Sequence, residues 1–377
     1  MTRVHAIIAG GGTAGHVLPG LAIAAELIER GVDPEAIRYV GSARGIETRL
    51  VPEAGLTLTT LPGRGIQRRL TWANVGAVLG LLAAVLRGIW LVVRLRPAVV
   101  VGLGGYASVP CVFGAILCRV PIVVAEQNAV PGAANRLAGR FARACAVSFP
   151  GTDLPNSHWT GNPVRDEIRA LSNPDPERRR AARQQLNVND QQTLLVVFGG
   201  SLGARRINHA IADVQARWSN RGDLVIRHVS GTRDFDELSK RSVRTDDPLL
   251  TYELVAYEDD MPTVFAAADL ILCRSGASSV AELAVAGLPS VLVPLPGAPG
   301  DHQTANARAL VDAGAAVLVP DAELTGERAF DELDSLINDP ARRTAMRQAA
   351  TSVARPDAAH AVVDLMETYA RRPRKQH

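Results

Sequence analysis

The chain starts the same way twice. Residues 4–9 form a short apolar run that breaks into Gly10-Gly11-Gly12-Thr13-Ala14-Gly15-His16 and then a helical pattern. Residues 193–198 repeat this, breaking into Gly199-Gly200-Ser201-Leu202-Gly203-Ala204-Arg205. A buried strand, a glycine turn and a helix N-terminus together form an anion site. Glycine admits positive φ and close backbone approach, and the free N–H groups and helix dipole favour negative charge. Two such starts in 377 residues predict two α/β lobes facing one phosphorylated ligand or two.

The rest of the pattern supports this division. Apolar runs at 4–9, 37–41, 56–60, 98–102, 121–125 and 144–148 alternate with helical patterns at 16–30, 45–53, 73–95, 106–118 and 131–141. Such alternation predicts a doubly wound, mostly parallel sheet, with binding at the carboxyl ends of its strands. Gly10 to His16, Gly102 to Tyr106 and Glu126 to Asn128 all fall there. Gly161-Asn162-Pro163 reads as the hinge, and an arginine-rich helix at 175–186 reads as a solvated face. A second series follows, with strands at 193–198, 224–229, 250–254, 269–273, 289–293 and 315–318. The expected lobes are 1–163 and 164–356, with a last helix from 357 packing back on the first.

Composition narrows the function classes. Hydrophobic residues make up 47% and charged residues 21%, which describes a globular protein with large cores. A net charge of +3 is too mild to imply nucleic acid. Cys111, Cys118, Cys145 and Cys273 show no C-x-x-C spacing, which argues against a zinc site or disulfide framework and fits a reducing compartment. A first strand at Val4 leaves no room for a signal peptide. The stretch from Val75 to Leu86 is uninterrupted apolar or glycine and continues after Arg87 from Ile89 to Val93. A spanning helix needs roughly 20 apolar residues, and the arginine in its middle opposes that reading. A core helix and a face lying on a membrane both stay open. In the second case Arg64, Arg68 and Arg69 before the helix, and Arg87, Arg94 and Arg96 within or after it, would meet anionic headgroups. Leu79, Leu82, Leu86 and Trp90 share one helical face.

Several residues can carry chemistry. The first glycine turn is not a dinucleotide fingerprint, since Tyr39-Val40-Gly41-Ser42 offers no acid at the end of the second strand. His16 opens the helix, where the dipole disfavours imidazolium. It reads either as a base or hydrogen-bond donor to a substrate oxygen, or as a loop-capping histidine. Glu126 directly follows an apolar strand, a costly position unless it is hydrogen-bonded or useful. Asn128 beside it can donate and accept. In Cys273-Arg274-Ser275-Gly276-Ala277-Ser278-Ser279-Val280-Ala281-Glu282 a strand ends, glycine turns the chain and a helix opens on small residues. Its N–H groups and the Ser278 and Ser279 hydroxyls suit a diphosphate, and Glu282 suits the two hydroxyls of a ribose. A capping box ending on Glu282 is the competing reading. Gly300 to Asn306 can read a sugar's hydroxyl pattern. Asp234-Phe235-Asp236 is a weak metal signal at a helix start, so no metal or cofactor is assigned.

These motifs are similar to those of the MurG family. GGGTAGHVLPGLA, GLGGYASVP, EQNAVPGAANR, GNPVR, FGGSLGARRIN, EDDMP, CRSGASSVAELAVAGLPSVLVP and DHQTANA occur in that family's order over nearly the whole chain. The resemblance implies a two-lobe GT-B fold. It implies inverting transfer of N-acetylglucosamine from UDP-N-acetylglucosamine to the lipid-linked muramyl peptide lipid I, giving lipid II for peptidoglycan. It also implies Thr13, Ala14 and Gly15 at the donor's sugar or diphosphate, and Tyr106, Asn128, Arg165 and Ser201 as further substrate contacts. Glu258 would hold the uracil through its backbone, Ala277, Ser278, Ser279, Val280, Ala281 and Glu282 the diphosphate and ribose, and Gln303 the sugar hydroxyls. His16 and Glu126 match positions proposed for catalysis. The family's frequent histidine before Glu126 is here Ala125. A peripheral position on the cytoplasmic membrane face and cell-wall or division partners are implied as well. A sugar-nucleotide epimerase of the same build, a nicotinamide oxidoreductase and a nucleotide-responsive binding protein are the rival readings.

Overall fold

Every apolar run expected as a strand forms one. The computed structural model describes residues 4–62, 73–200, 203–241 and 249–371. Ser201, Arg64, Arg68 and Arg69 lie outside these residues, as does the side chain of Leu79. Two units emerge, Met1–Arg165 with Pro356–His377, and Asp166–Arg355.

The first unit opens with β1 (Ala6–Gly10), α1 (Ala14–Glu29), β2 (Ile37–Ser42), α2 (Glu47–Glu53) and β3 (Thr57–Leu61). It continues with α3 (Ala73–Leu95), β4 (Val99–Gly104), α4 (Ser108–Leu117), β5 (Ile122–Glu126), α5 (Ala133–Gly139), β6 (Ala144–Val147) and β7 (Ser157–Trp159). The strands lie in the order β3-β2-β1-β4-β5-β6-β7, all parallel, with Ala6 registered between Ile37 and Val99. A parallel sheet covered on both faces needs continuous apolar strands, which is why these runs do not alternate. The exception is β7, an edge strand of exposed Ser157, His158 and Trp159 that carries no apolar run to announce it.

The second unit contains α6 (Asp166–Arg169), α7 (Pro176–Gln185), β8 (Thr193–Phe198), α8 (Arg205–Val214), β9 (Leu224–Val229), α9 (Phe235–Arg241) and β10 (Thr251–Val255). It closes with α10 (Met261–Ala267), β11 (Leu270–Cys273), α11 (Ala277–Ala286), β12 (Ser290–Leu292), α12 (His302–Val311), β13 (Ala316–Leu318), α13 (Gly326–Ile337) and α14 (Pro340–Val353). Its six strands, β10-β9-β8-β11-β12-β13, are again all parallel. The last helix, α15 (Ala358–Tyr369), belongs to the first unit. Val362, Val363 and Met366 enter the core beside Ile23 and Leu27 of α1, and Arg30 binds Asp364 and Glu367 at 2.7 and 2.9 Å.

Two expectations about helices are revised. The arginine-rich α7 is not simply a solvated face: Arg183 is buried and, with Arg179, grips Asp269 at 3.0 and 2.6 Å. For α3 the core-helix reading holds on one side only. Ala84, Leu91 and Val92 are buried against α4, where Gly88 lies so close to Pro110 that a Cβ would sit 2.6 Å from its backbone. Leu82, Leu86 and Trp90 face outward, the last two 68% and 51% exposed. Among the described residues no helix is long and apolar enough to cross a membrane.

Candidate functional site

The carboxyl ends of β1, β4 and β5 bring the first unit's polar residues together. Thr13 precedes α1 in an extended conformation, and its Oγ1 lies 3.2 Å from His16 Nδ1. The other imidazole nitrogen, Nε2, points over Gly104, where a Cβ would stand 3.3 Å from it and 3.1 Å from Asn135 Nδ2. That amide donates to Glu126 Oε2 at 2.9 Å. His16, in the first turn of the helix after β1, and Glu126, at the end of β5, are therefore linked through Asn135 across the end of the intervening β4.

Glu126 is only 2% exposed, and four donors meet its carboxylate. The Asn128 amide N–H and side chain approach Oε1 at 2.9 and 3.3 Å, and the Gly132 N–H and Asn135 approach Oε2 at 3.0 and 2.9 Å. A buried carboxylate requires such compensation. It fixes the loop that carries Asn128, which stays half-buried. The Tyr106 hydroxyl donates to the Pro62 carbonyl at 2.8 Å, and burial raises its pKa. Arg165, half-buried, ends the first unit.

Sequence reasoning missed Glu47. No acid stands at the end of β2, but α2 sends the Glu47 carboxylate back into that position, fully buried. It accepts the Gly12 N–H with both oxygens at 3.1 and 3.0 Å and the Ser42 N–H and hydroxyl at 2.7 and 2.8 Å. A Cβ on Gly11, Gly41 or Gly45 would fall 2.2, 2.5 or 1.9 Å from Glu47 atoms. The first glycine turn thus already holds an anion, one of the protein's own, and its Gly12 N–H is engaged. Gly41 and Gly45, just before Glu47, were the available local signal.

The second unit keeps its helix terminus open. Helix α11 is capped by Gly276 without a side-chain bond, so the competing capping box does not form. Val280 N–H is bonded to the Gly276 carbonyl, and the N–H groups of the first turn before it, Ala277 to Ser279, have no acceptor within the helix. Among the described residues Ser278 Oγ has no hydrogen-bond partner, although that atom is buried. Glu282 lies one turn further in, 9% exposed. Ala281 and Val280 complete this turn. Nearby, Gln303 accepts the Leu295 N–H at 2.9 Å through Oε1, which leaves its Nε2 group to donate. Glu258 is held at 2.8 Å by Arg227 and accepts the Asp260 N–H at 3.1 Å, which sets the backbone at that corner. Asp234 is 1% exposed and bound by Arg233, Arg205 and Asn208. Among the described residues no group of His, Cys, Asp or Glu is arranged to hold a metal ion.

Comparison with known proteins accounts for both units. The glycosyltransferase family 28 N-terminal domain matches residues 6–147, and the glycosyltransferase family 28 C-terminal domain matches residues 194–362. The chain is 40% identical to the UDP-N-acetylglucosamine--N-acetylmuramyl-(pentapeptide) pyrophosphoryl-undecaprenol N-acetylglucosamine transferase of Desulforudis audaxviator, over 97% of this chain and 99% of that protein. It is similar to the crystal structure of Acinetobacter baumannii MurG, with a TM-score of 0.77, 30% identity and coverage of 97% and 99% of the two chains. The UDP-GlcNAc 2-epimerase from Neisseria meningitidis shares the fold alone, at a TM-score of 0.64 and 12% identity over 96% of this chain and 100% of that one. The chain belongs to glycosyltransferase family 28, and its two Rossmann-like lobes are those of the GT-B class.

Proposed function

We propose that this enzyme transfers N-acetylglucosamine from UDP-N-acetylglucosamine to the muramyl sugar of lipid I, forming lipid II. The observation that carries the donor half is the N-terminus of α11, whose first-turn N–H groups and orphaned Ser278 hydroxyl await acceptors. A nucleoside diphosphate supplies them, with Glu282 accepting from the ribose, the Glu258 corner meeting the uracil and Gln303 donating to the sugar. Arg165 adds positive charge toward the diphosphate, and Thr13, Ala14 and Gly15 contact the donor's sugar side. The acceptor belongs to the first unit, near His16 and Asn128.

The acceptor hydroxyl oxygen attacks the anomeric carbon as the bond to the diphosphate oxygen breaks, so the configuration inverts from α to β. UDP leaves with the bonding electrons, and backbone dipoles take up its charge. The hydroxyl proton goes to His16 Nε2, while Nδ1–H donates to Thr13 Oγ1. One positioned base contributes about 10²–10⁴-fold. Glu126 assists by holding Asn128 and Asn135 in place.

The outer face of α3 supports a peripheral position on the cytoplasmic side of a membrane. Arg87 and Arg94 each stack over Trp90 at 5.7 Å, so cationic groups rim the exposed apolar side chains. Phe113 and Leu117 of the adjoining α4 are exposed as well. Cell-wall and division partners would meet the enzyme at the same membrane. An epimerase would act on the donor alone. Incubation with UDP-N-acetylglucosamine, with and without lipid I, followed by measurement of UDP release separates the two. Release only with acceptor is expected, and acceptor-independent epimerisation would overturn the reading.

A further inference from the structure

A cavity of about 520 Å³ lies in the second unit. It is lined by residues of α7, α14 and the segment before α7, together with Asp269 and Gly287. Asp269 immediately precedes β11 and Gly287 immediately follows α11. In a parallel sheet both positions belong to the amino end of the strands, whereas phosphate-binding turns occupy the carboxyl end. The cavity is therefore separate from the donor site.

Its charge is unbalanced. Arg178, Arg179, Arg343 and Arg347 line it, against Asp175 and Asp269. Much of this charge has structural work. Arg179 bonds the Ala266 and Ala268 carbonyls as well as Asp269, and Arg343 bonds the Leu336 and Ile337 carbonyls at the end of α13. Asp175 caps α7 by accepting from Glu177 and Arg178 N–H groups. Arg347 is different. It makes no hydrogen bond or salt bridge among the described residues, although its stem packs against Gly287. Burial and then the like charge of Arg179 pull its pKa down, with Asp269 acting the other way. Asp269, the carboxylate acting on it, is already bound by Arg179 and Arg183.

We propose that this arginine-lined cavity binds a small soluble molecule bearing a phosphate or diphosphate group, with Arg347 as its principal contact. The volume suits a metabolite-sized ligand, and planar guanidinium groups match phosphate oxygens bidentately. None of the large apolar side chains exposed among the described residues lines the cavity, which favours a soluble ligand over a lipid headgroup.

The test is calorimetric titration of the full-length enzyme with pyrophosphate and with inorganic phosphate, under saturating UDP so that the donor site is occupied. Saturable binding is expected. Arg347→Met should weaken it by roughly tenfold or more, as for loss of a charge-assisted hydrogen bond. Arg342→Met, on the same helix but outside the cavity lining, should not. Thr344→Glu changes an exposed lining residue and introduces a repelling charge without disturbing the core, so it should also abolish binding. UDP affinity should match wild type in every variant. Absence of saturable binding in the wild type, or wild-type affinity in Arg347→Met and Thr344→Glu, would overturn the proposal. Binding of phosphatidylglycerol vesicles that depends on Arg347, without pyrophosphate binding, would reassign the site to a lipid headgroup and overturn the soluble ligand.

Discussion

Glu47 and Gly12, 35 residues apart, are joined by both carboxylate oxygens of one and the amide of the other, at 3.1 and 3.0 Å. This contact shapes the turn that delivers Thr13 and His16. A glutamate buried among three glycines replaces, inside the first lobe, the phosphate that such turns commonly receive. At α11 of the second lobe no side chain among the described residues caps the helix, and its terminus is open to a ligand.

Removing that carboxylate should loosen the first lobe. Glu47→Ala takes the acceptor from the part-buried Gly12 and Ser42 donors, at about 0.5–1.5 kcal/mol for each hydrogen bond lost. Glu47→Gln retains one acceptor oxygen and should lose less. Urea unfolding reports the difference, and kcat should fall in parallel while UDP affinity holds. A wild-type unfolding midpoint for Glu47→Ala would show the contact to be dispensable.

His16 and Glu126 should separate by their effect on stability. His16→Ala should lower kcat by about 10²–10⁴-fold, the contribution of a general base, with little change in thermal midpoint. Glu126→Gln turns an amide NH₂ toward donors, so it should lower both kcat and stability. A stable Glu126→Gln enzyme with the larger kcat loss would make Glu126 the base.

Glu282→Ala should weaken UDP binding by about 1.5–3 kcal/mol, the range for hydrogen bonds to a charged group. Lipid I binding should be unaffected. Calorimetry giving wild-type UDP affinity in the folded variant would remove Glu282 from the donor site.

His228 should give the second lobe an acid-sensitive limb. It is fully buried, with Nε2 bonded to Asn208 Oδ1 at 3.0 Å and Nδ1 to the Tyr252 hydroxyl at 2.7 Å. Burial lowers its pKa from 6.5 to about 4. Above pH 6.5 the ring is neutral in folded and unfolded chains alike. As pH falls from there toward 4 the unfolded chain takes up the proton first, so stability is lost through this window, by about 3 kcal/mol in all. Ring titration followed by NMR should stay silent down to pH 5, and a midpoint near 6.5 in the native protein would refute this.

The exposed side of α3 should govern membrane binding without supporting the fold. Leu86→Gln with Trp90→Gln should sharply reduce binding to anionic vesicles, because each buried apolar side chain contributes about 1.5–3 kcal/mol. Thermal unfolding and UDP affinity should be unchanged. Loss of cooperative unfolding would mean that these residues pack inward, and full vesicle binding by a folded variant would exclude this face.

The strands were legible because a buried parallel strand must be apolar at successive positions, as in Thr193–Phe198 and Val99–Gly104, and that requirement is local. Edge strand β7 escaped for the same reason, since Ser157, His158 and Trp159 are exposed and need no such run. The α11 turn was legible through Gly276, the small residues after it and Glu282, all within a few positions of one another. His16 and Glu126 could be singled out as polar residues at strand ends. Their link through Asn135 depends on β1, β4 and β5 lying side by side, which the order of residues along the chain does not state.

Sequence by itself determined two parallel α/β lobes and the glycine-turn positions, because strand burial and positive φ act on neighbouring residues. Tertiary structure alone decided what fills each turn, which face of a helix stays exposed and where charge accumulates. Glu47 reaches Gly12 only once α2 has folded beside β2. Helix α3 hides Ala84, Leu91 and Val92 and shows Leu86 and Trp90 because α4 covers one side of it. Arg179 and Arg183, which read as solvated, turn inward to meet Asp269, 90 and 86 residues away. Charges and apolar side chains take their roles from partners brought in by distant segments, and local pattern carries no record of which segment arrives.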